Sequence, residues 1–144
     1  MKAAGTKSFV LDASVTLAWC FADESTDDTE QILDMLSDGN NAVVPAIWPV
    51  EVANALLVAE RRKRITLAQV TSVLGRIGLL PISVEPTLTE RTFVAVLNSA
   101  RREQLSAYDG SYLELAMREG LPLATLDQSL KRSAKNSGVV LLLN

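Results

Sequence analysis

Short apolar runs alternate along the chain with longer segments in which apolar residues recur every three or four positions. The runs predict β-strands, because they are short, apolar and not patterned in and out. We predict strands at residues 8–11, 41–45, 81–85, 122–126 and 139–143. The helical periodicity predicts helices, with their caps, at residues 13–21, 26–38, 49–62, 66–77, 86–102, 106–120 and 127–136.

This alternation favours an α/β fold with a short, mostly parallel central sheet that helices cover on both faces. In such folds, ligands bind beyond the carboxyl ends of the strands, where the strand order reverses. Ser25 or Thr26, Thr66 and Ser106 are typical helix N-caps, and Gly120 is typical of a helix end. No linker, repeat or compositional break divides the sequence, so we predict one domain over residues 1–144.

The composition excludes several kinds of catalytic site. The chain contains no histidine, which excludes Ser-His-Asp triads, Cys-His pairs and histidine-containing zinc sites. The lone cysteine, Cys20, lies among apolar residues and is predicted to be a small buried hydrophobe. The formal charge of −3 does not itself indicate a nucleic-acid-binding protein, although a bound metal ion supplies local positive charge.

Most of the 17 acidic residues lie in polar surroundings, but four are isolated in apolar segments. Asp12 directly follows the first apolar run and Asp127 the fourth, so both are predicted at the carboxyl ends of strands. Glu51 lies in the first turns of a nearly apolar helix. Asp109 is aligned with Tyr112 at i+3 on the predicted buried stripe of its helix. We therefore expect all four acids near the core.

An unpaired buried carboxylate is costly, and no cation in the local sequence is placed to pair with all four acids. A divalent metal ion compensates such a set well, and carboxylates alone suit Mg²⁺ or Mn²⁺ better than zinc or copper. Each acid also has a simpler explanation. Asp12 and Asp127 are placed to cap helices, and Glu51 and Asp109 are first-turn acids that favour the helix dipole.

Four sequence segments together resemble the PIN-domain ribonucleases, and most closely the VapC-type toxins of bacterial toxin–antitoxin pairs. The segments are VLDAS at 10–14, WPVEVANAL at 48–56, YDGSYLELA at 108–116 and LATLDQSL at 123–130. They occur in the order and at the spacing usual in that family. One departure is Gly110, where members commonly have alanine after the third acid.

The resemblance implies a PIN-like three-layer sandwich and a metal-dependent endoribonuclease. It carries the family's acidic site onto Asp12, Glu51, Asp109 and Asp127, which would bind Mg²⁺ or Mn²⁺ and activate water for hydrolysis of an RNA phosphodiester. Supporting roles are implied for Ser14, Asn54 and Thr125.

The implied partners are a structured RNA such as transfer or ribosomal RNA, a VapB-like antitoxin, and a second copy of the chain in a homodimer. No signal peptide is visible, and no apolar run reaches the roughly 20 residues that span a bilayer. We therefore expect a soluble, cytoplasmic protein that does not contact a membrane.

Two phosphoryl-transfer functions fit the sequence less well, and two other functions fit the same fold. A haloacid-dehalogenase-like phosphatase would carry a second aspartate where this chain has Ser14, and a response-regulator receiver would need a lysine near its last strand, where residues 139–144 have none. A housekeeping PIN-domain nuclease without an antitoxin and a non-catalytic module that binds RNA or protein both fit the same fold.

Overall fold

The computed structural model describes residues 7–86 and 89–144. Four strands and seven helices follow one another in this part of the chain: β1 (Ser8–Leu11), α1 (Ala13–Cys20), α2 (Asp27–Ser37), β2 (Asn41–Val44), α3 (Trp48–Arg61), α4 (Leu67–Ile77), β3 (Ile82–Val84), α5 (Glu90–Glu103), α6 (Ala107–Glu119), β4 (Leu123–Ala124) and α7 (Gln128–Asn136). The strands form one sheet in the order β3-β2-β1-β4, and every neighbouring pair is parallel. The predicted α/β class with a parallel central sheet is therefore confirmed.

The centre of the sheet is the most buried part of the molecule. All four residues of β1 are buried, and α6 packs against this strand. The edge strand β3 is different, since Ser83 and Val84 are both exposed. Full coverage on both faces thus holds for the middle of the sheet and not for this edge. No helix among the described residues is long and apolar enough to cross a membrane.

The predicted capping residues set the helix boundaries. Thr26 and Thr66 each form a capping box with the residue three positions later, and the Ser106 hydroxyl accepts a hydrogen bond from the backbone N–H of Asp109. Gly120 ends α6 in the left-handed conformation, with φ of 63°. These local signals explain why the predicted and observed helices agree to within a few residues.

The predicted fifth strand is wrong. Leu141 forms only an isolated parallel bridge with Leu123. The Leu123 N–H donates to the Val140 carbonyl, and the Leu142 N–H donates to the Leu123 carbonyl. Since β4 is only two residues long, it offers too little backbone for a further strand to pair along.

The predicted start of the fifth helix is also wrong. That helix begins at Glu90 rather than at Pro86, because Thr89 is its N-cap and accepts a hydrogen bond from the Thr92 N–H at 3.2 Å. Thr87 and Leu88, which the prediction placed in this helix, lie outside the described residues.

The strand order reverses between β1 and β4. The chain moves from β1 to β2 and β3 on one side of the sheet, and β4 returns to pair with β1 on the other side. Adjacent crossovers therefore diverge at the carboxyl ends of β1 and β4, which is where open α/β folds bind their ligands. Asp12 directly follows β1, and Thr125 directly follows β4.

Candidate active site

The Asp12 carboxylate occupies the end of β1, where it is only 5% exposed. Two hydroxyl groups donate hydrogen bonds to the same oxygen of this carboxylate, Oδ2. The Ser14 hydroxyl lies 2.6 Å away and the Thr125 hydroxyl 2.8 Å away. Neither hydroxyl group binds the other oxygen, Oδ1. The two hydrogen bonds therefore hold the carboxylate through Oδ2.

Both hydroxyl groups also tie the ends of β1 and β4 together. The Ser14 oxygen accepts from the Leu126 N–H at 3.0 Å, and the Thr125 oxygen accepts from the Asp127 N–H at 3.1 Å. Each hydroxyl thus accepts a backbone hydrogen bond and donates to Asp12. Ser14 and Thr125 both contact Asp12, and the supporting roles that the resemblance implies for them stay a prediction.

Glu51 and Asp109 approach from the first turns of two helices, α3 and α6. Both side chains are half-buried. The hydroxyl of Tyr112, one turn after Asp109 on α6, donates to Glu51 Oε1 at 2.7 Å. Ser106 caps α6 through the Asp109 backbone rather than through its carboxylate. The sequence predicts Tyr112 on a buried stripe of its helix but contains no signal for its contact with Glu51.

Asp127 differs from the other three acids, because it is exposed. The expectation that all four lie near the core is wrong for this residue. Its Oδ1 accepts the Leu130 N–H at 2.8 Å, so the side chain caps α7 as the simpler explanation proposed. Asp12 also occupies an N-cap position, but its side chain makes no capping hydrogen bond to α1.

The four acids act on one another electrostatically. Negative charge on Asp12 and Asp109 raises the pKa of Glu51, and Asp127 raises the pKa of both Asp12 and Asp109. Burial is the largest cause of the raised pKa in Asp12, Glu51 and Asp109. Together with the neighbouring charges, burial raises the pKa of Asp109 to about 6. Residues far apart in the sequence therefore share one negative region.

Among the described residues, no ion pair involves any of the four acids. Over residues 7–86 and 89–144, no three acidic or cysteine side chains are grouped closely enough to form a metal site by themselves. The donor chemistry still fits Mg²⁺ or Mn²⁺, which take carboxylate oxygens and retain several waters. Of the four carboxylates, that of Asp12 accepts hydrogen bonds from two hydroxyl groups.

Asn54, the remaining predicted supporting residue, is exposed on α3. Its amide makes no hydrogen bond to any residue in the described ranges. Asn54 lies one turn beyond Glu51, but nothing in its contacts ties it to the acids.

Comparisons with known proteins find one matching family model and several solved structures with a similar fold. The model of the PIN domain family matches residues 9–136. The structure is similar to PAE2754 from Pyrobaculum aerophilum, with 23% identity, a TM-score of 0.69, and coverage of 99% of this chain and 88% of that chain. A comparison with curated protein sequences finds no significant match.

Two further solved structures share the fold. One is VapBC2 from Rickettsia felis bound to a DNA fragment from their promoter, with 15% identity, a TM-score of 0.64, and coverage of 93% and 96% of the two chains. The other is FitAcB from Neisseria gonorrhoeae, with 15% identity, a TM-score of 0.63, and coverage of 94% and 96%.

Proposed function

The chain belongs to the PIN domain family, and from this premise we propose that it is a metal-dependent endoribonuclease, the toxin of a type II toxin–antitoxin pair. PIN domains are generally nucleases. The observation that carries the proposal is the Asp12 carboxylate, buried at the sheet's switch point and held through Oδ2 by Ser14 and Thr125. A helix cap would need no such anchoring, whereas a ligand-binding carboxylate gains from a fixed orientation.

We assign metal binding to Asp12, Glu51, Asp109 and Asp127, and orientation of Asp12 to Ser14 and Thr125. When bound, Mg²⁺ or Mn²⁺ supplies charge neutralisation at the phosphate and activation of water. The acids that repel one another supply the negative charge that attracts this ion. Because no three of the described acids are tightly grouped, water and phosphate oxygens would supply the remaining ligands of the ion.

The substrate and partners are part of the same proposal. We assign the substrate to structured RNA such as transfer or ribosomal RNA because the resemblance to VapC-type toxins implies it, and an all-carboxylate site suits a phosphodiester that arrives with a divalent ion. The fold shared with VapBC2 and FitAcB supports a VapB-like antitoxin as the natural partner. A homodimer of the chain completes the proposed assembly, which we place in the cytoplasm.

The first prediction tests the acids directly. Asp12→Asn and Asp109→Asn each preserve side-chain size while removing a negative charge, so we expect each to reduce Mg²⁺-dependent cleavage of RNA at least 100-fold, within the range of roughly 2.7–4 kcal/mol for loss of one catalytic contact. Cleavage of a labelled RNA by purified protein, with Mg²⁺ and then with EDTA, measures the effect.

Asp34→Asn is the matched control, because Asp34 is an exposed acid on α2. It should cleave at the wild-type rate, and all three variants should melt as cooperatively as the wild type. Undiminished cleavage by Asp12→Asn or Asp109→Asn would refute the assignment of the site. Wild-type protein that binds RNA but never cleaves it would support a non-catalytic module instead.

A further inference from the structure

Tyr112 connects the two helices that carry Glu51 and Asp109. Its side chain is 0% exposed, and its hydroxyl donates to Glu51 Oε1 at 2.7 Å across 61 positions of sequence. A buried phenol hydroxyl needs a hydrogen-bond partner. Here that partner is a half-buried carboxylate rather than a backbone carbonyl, so the contact fixes a charged group.

Tyr112 also interacts with other parts of the site. Tyr112 follows Asp109 by three positions, so both lie on the same side of α6. Burial and the negative charge of Asp12 raise the pKa of the Tyr112 hydroxyl, and the backbone N–H of Ala13, at the start of α1, lowers it. One side chain therefore adjoins three of the four acids in space or along its own helix.

We propose that Tyr112 is a positioning residue that orients Glu51 for a divalent metal ion by holding Oε1 and leaving Oε2 for the ligand. The inference rests on the proposed function. The chemistry of the donor supports it. Lysine or arginine at this point would neutralise the negative charge that attracts the metal, whereas a neutral phenol donates a hydrogen bond and adds no charge. Groups that orient ligand side chains in this way commonly change metal affinity about 10-fold to 100-fold.

The test is Tyr112→Phe, which removes the hydroxyl and keeps the ring. We expect the dissociation constant for Mn²⁺, measured by electron paramagnetic resonance on the RNA-free protein, to rise about 10-fold. Tyr108→Phe is the matched control, since Tyr108 is the chain's other tyrosine, lies on the same helix and is exposed. It should bind Mn²⁺ as the wild type does.

A double mutant separates positioning from simple packing. If Tyr112 acts through Glu51, Tyr112→Phe should weaken Mn²⁺ binding strongly in the wild type and hardly at all in Glu51→Ala. Equal weakening in both backgrounds would show that the hydroxyl acts through the fold, and would overturn the inference. Unchanged Mn²⁺ affinity in Tyr112→Phe would overturn it as well.

A measurement on protein that keeps Tyr112 tests the inference even where Tyr112→Phe does not fold. With only two tyrosines, protein labelled with 3-fluorotyrosine gives two ¹⁹F resonances, which Tyr108→Phe assigns. Saturating Mg²⁺ should shift the Tyr112 resonance, and an unmoved resonance would contradict the inference. Wild-type protein that binds Mn²⁺ but cleaves no RNA would refute the proposed function alone, whereas protein that binds no Mn²⁺ would refute both.

Discussion

At the scale of single residues, Asp12 shows how a buried carboxylate is tolerated at the carboxyl end of a central strand. Burial raises its pKa, and the hydrogen bonds from Ser14 and Thr125 oppose that shift. Thr125 is wholly buried and bridges Asp12 to the Asp127 backbone. Its hydroxyl therefore affects both the orientation of the carboxylate and the closure of the turn after β4.

Thr125→Val tests this double role, because valine has nearly the same shape and lacks the hydroxyl. We expect RNA cleavage to fall about 10-fold to 100-fold, and the free energy of unfolding to fall by about 1–3 kcal/mol, since the Asp127 N–H loses its acceptor. Thr71→Val on the exposed face of α4 is the control and should leave cleavage unchanged. Wild-type cleavage by Thr125→Val would show that Ser14 alone orients Asp12.

The sequence predicts some of these residues and not others, for a physical reason. The position of Asp12 is predictable because it follows an apolar run, and the carboxyl ends of parallel strands share one edge of the sheet, whereas the role of Thr125 is implied only by the family resemblance. The contact between Tyr112 and Glu51 is not predictable in this way, because it depends on how α3 and α6 approach each other in space. The exposure of Asp127 was likewise hidden, since its apolar neighbours are the strand before it rather than its own surroundings.

At the scale of elements, α5 and α6 form the most extensive helix pair in the described structure. Gly110 on α6 lies at the contact between these two helices. A Cβ atom at this position would meet Ala100 Cβ at 3.0 Å and the Val96 carbonyl oxygen at 3.3 Å. Close packing therefore favours glycine at this position, directly after Asp109.

Gly110→Ala sets helix propensity against this packing. Alanine favours the helix by about 1 kcal/mol, but an overpacked contact costs about 1–3 kcal/mol. We expect a net loss of about 1 kcal/mol in the free energy of unfolding, measured by denaturant titration. Gly75→Ala on α4, where an added Cβ meets no atom within 4 Å, should instead gain about 1 kcal/mol. A gain in both variants would mean that α5 moves aside freely.

Elements were predicted well where the signals are local. Thr26, Thr66 and Ser106 cap helices through contacts made three residues away, so the sequence contains the whole signal. Residues 139–143 failed as a strand because pairing depends on the length of β4, which the apolar run did not reveal. The start of α5 is predicted too early because Pro86 is also suited to a first helical turn. In the folded chain Thr89 caps the helix instead.

At the scale of the whole molecule, the fold concentrates negative charge at the point where the strand order reverses. Four distant segments supply acids there, and burial, with a smaller contribution from their mutual repulsion, raises the pKa of Asp12, Glu51 and Asp109. In the metal-free protein this repulsion opposes folding. A divalent ion that binds only the folded state would reverse the effect, because it stabilises that state by mass action.

The pH dependence of stability follows from these shifts. The pKa of Asp109 rises from its ordinary 3.8 to about 6 on folding, so between those values the folded state binds more protons than the unfolded state. Stability of the metal-free protein should therefore fall as pH rises from about 4 to about 6. With saturating Mg²⁺ the trend should reverse, because only the ionised carboxylates bind the metal.

Asp109→Asn isolates this contribution within the background of the other acids. In EDTA at pH 7 it should be more stable than the wild type by on the order of 1 kcal/mol, allowing for solvent screening of a half-buried carboxyl group. The difference should shrink toward pH 4, where wild-type Asp109 is protonated as well, and should change sign when Mg²⁺ is added at pH 7. Denaturant titrations of both proteins at pH 4, 5.5 and 7 measure it. Parallel curves at every pH, with and without Mg²⁺, would mean that Asp109 neither feels the other acids nor binds the ion, because either interaction must make the two proteins diverge.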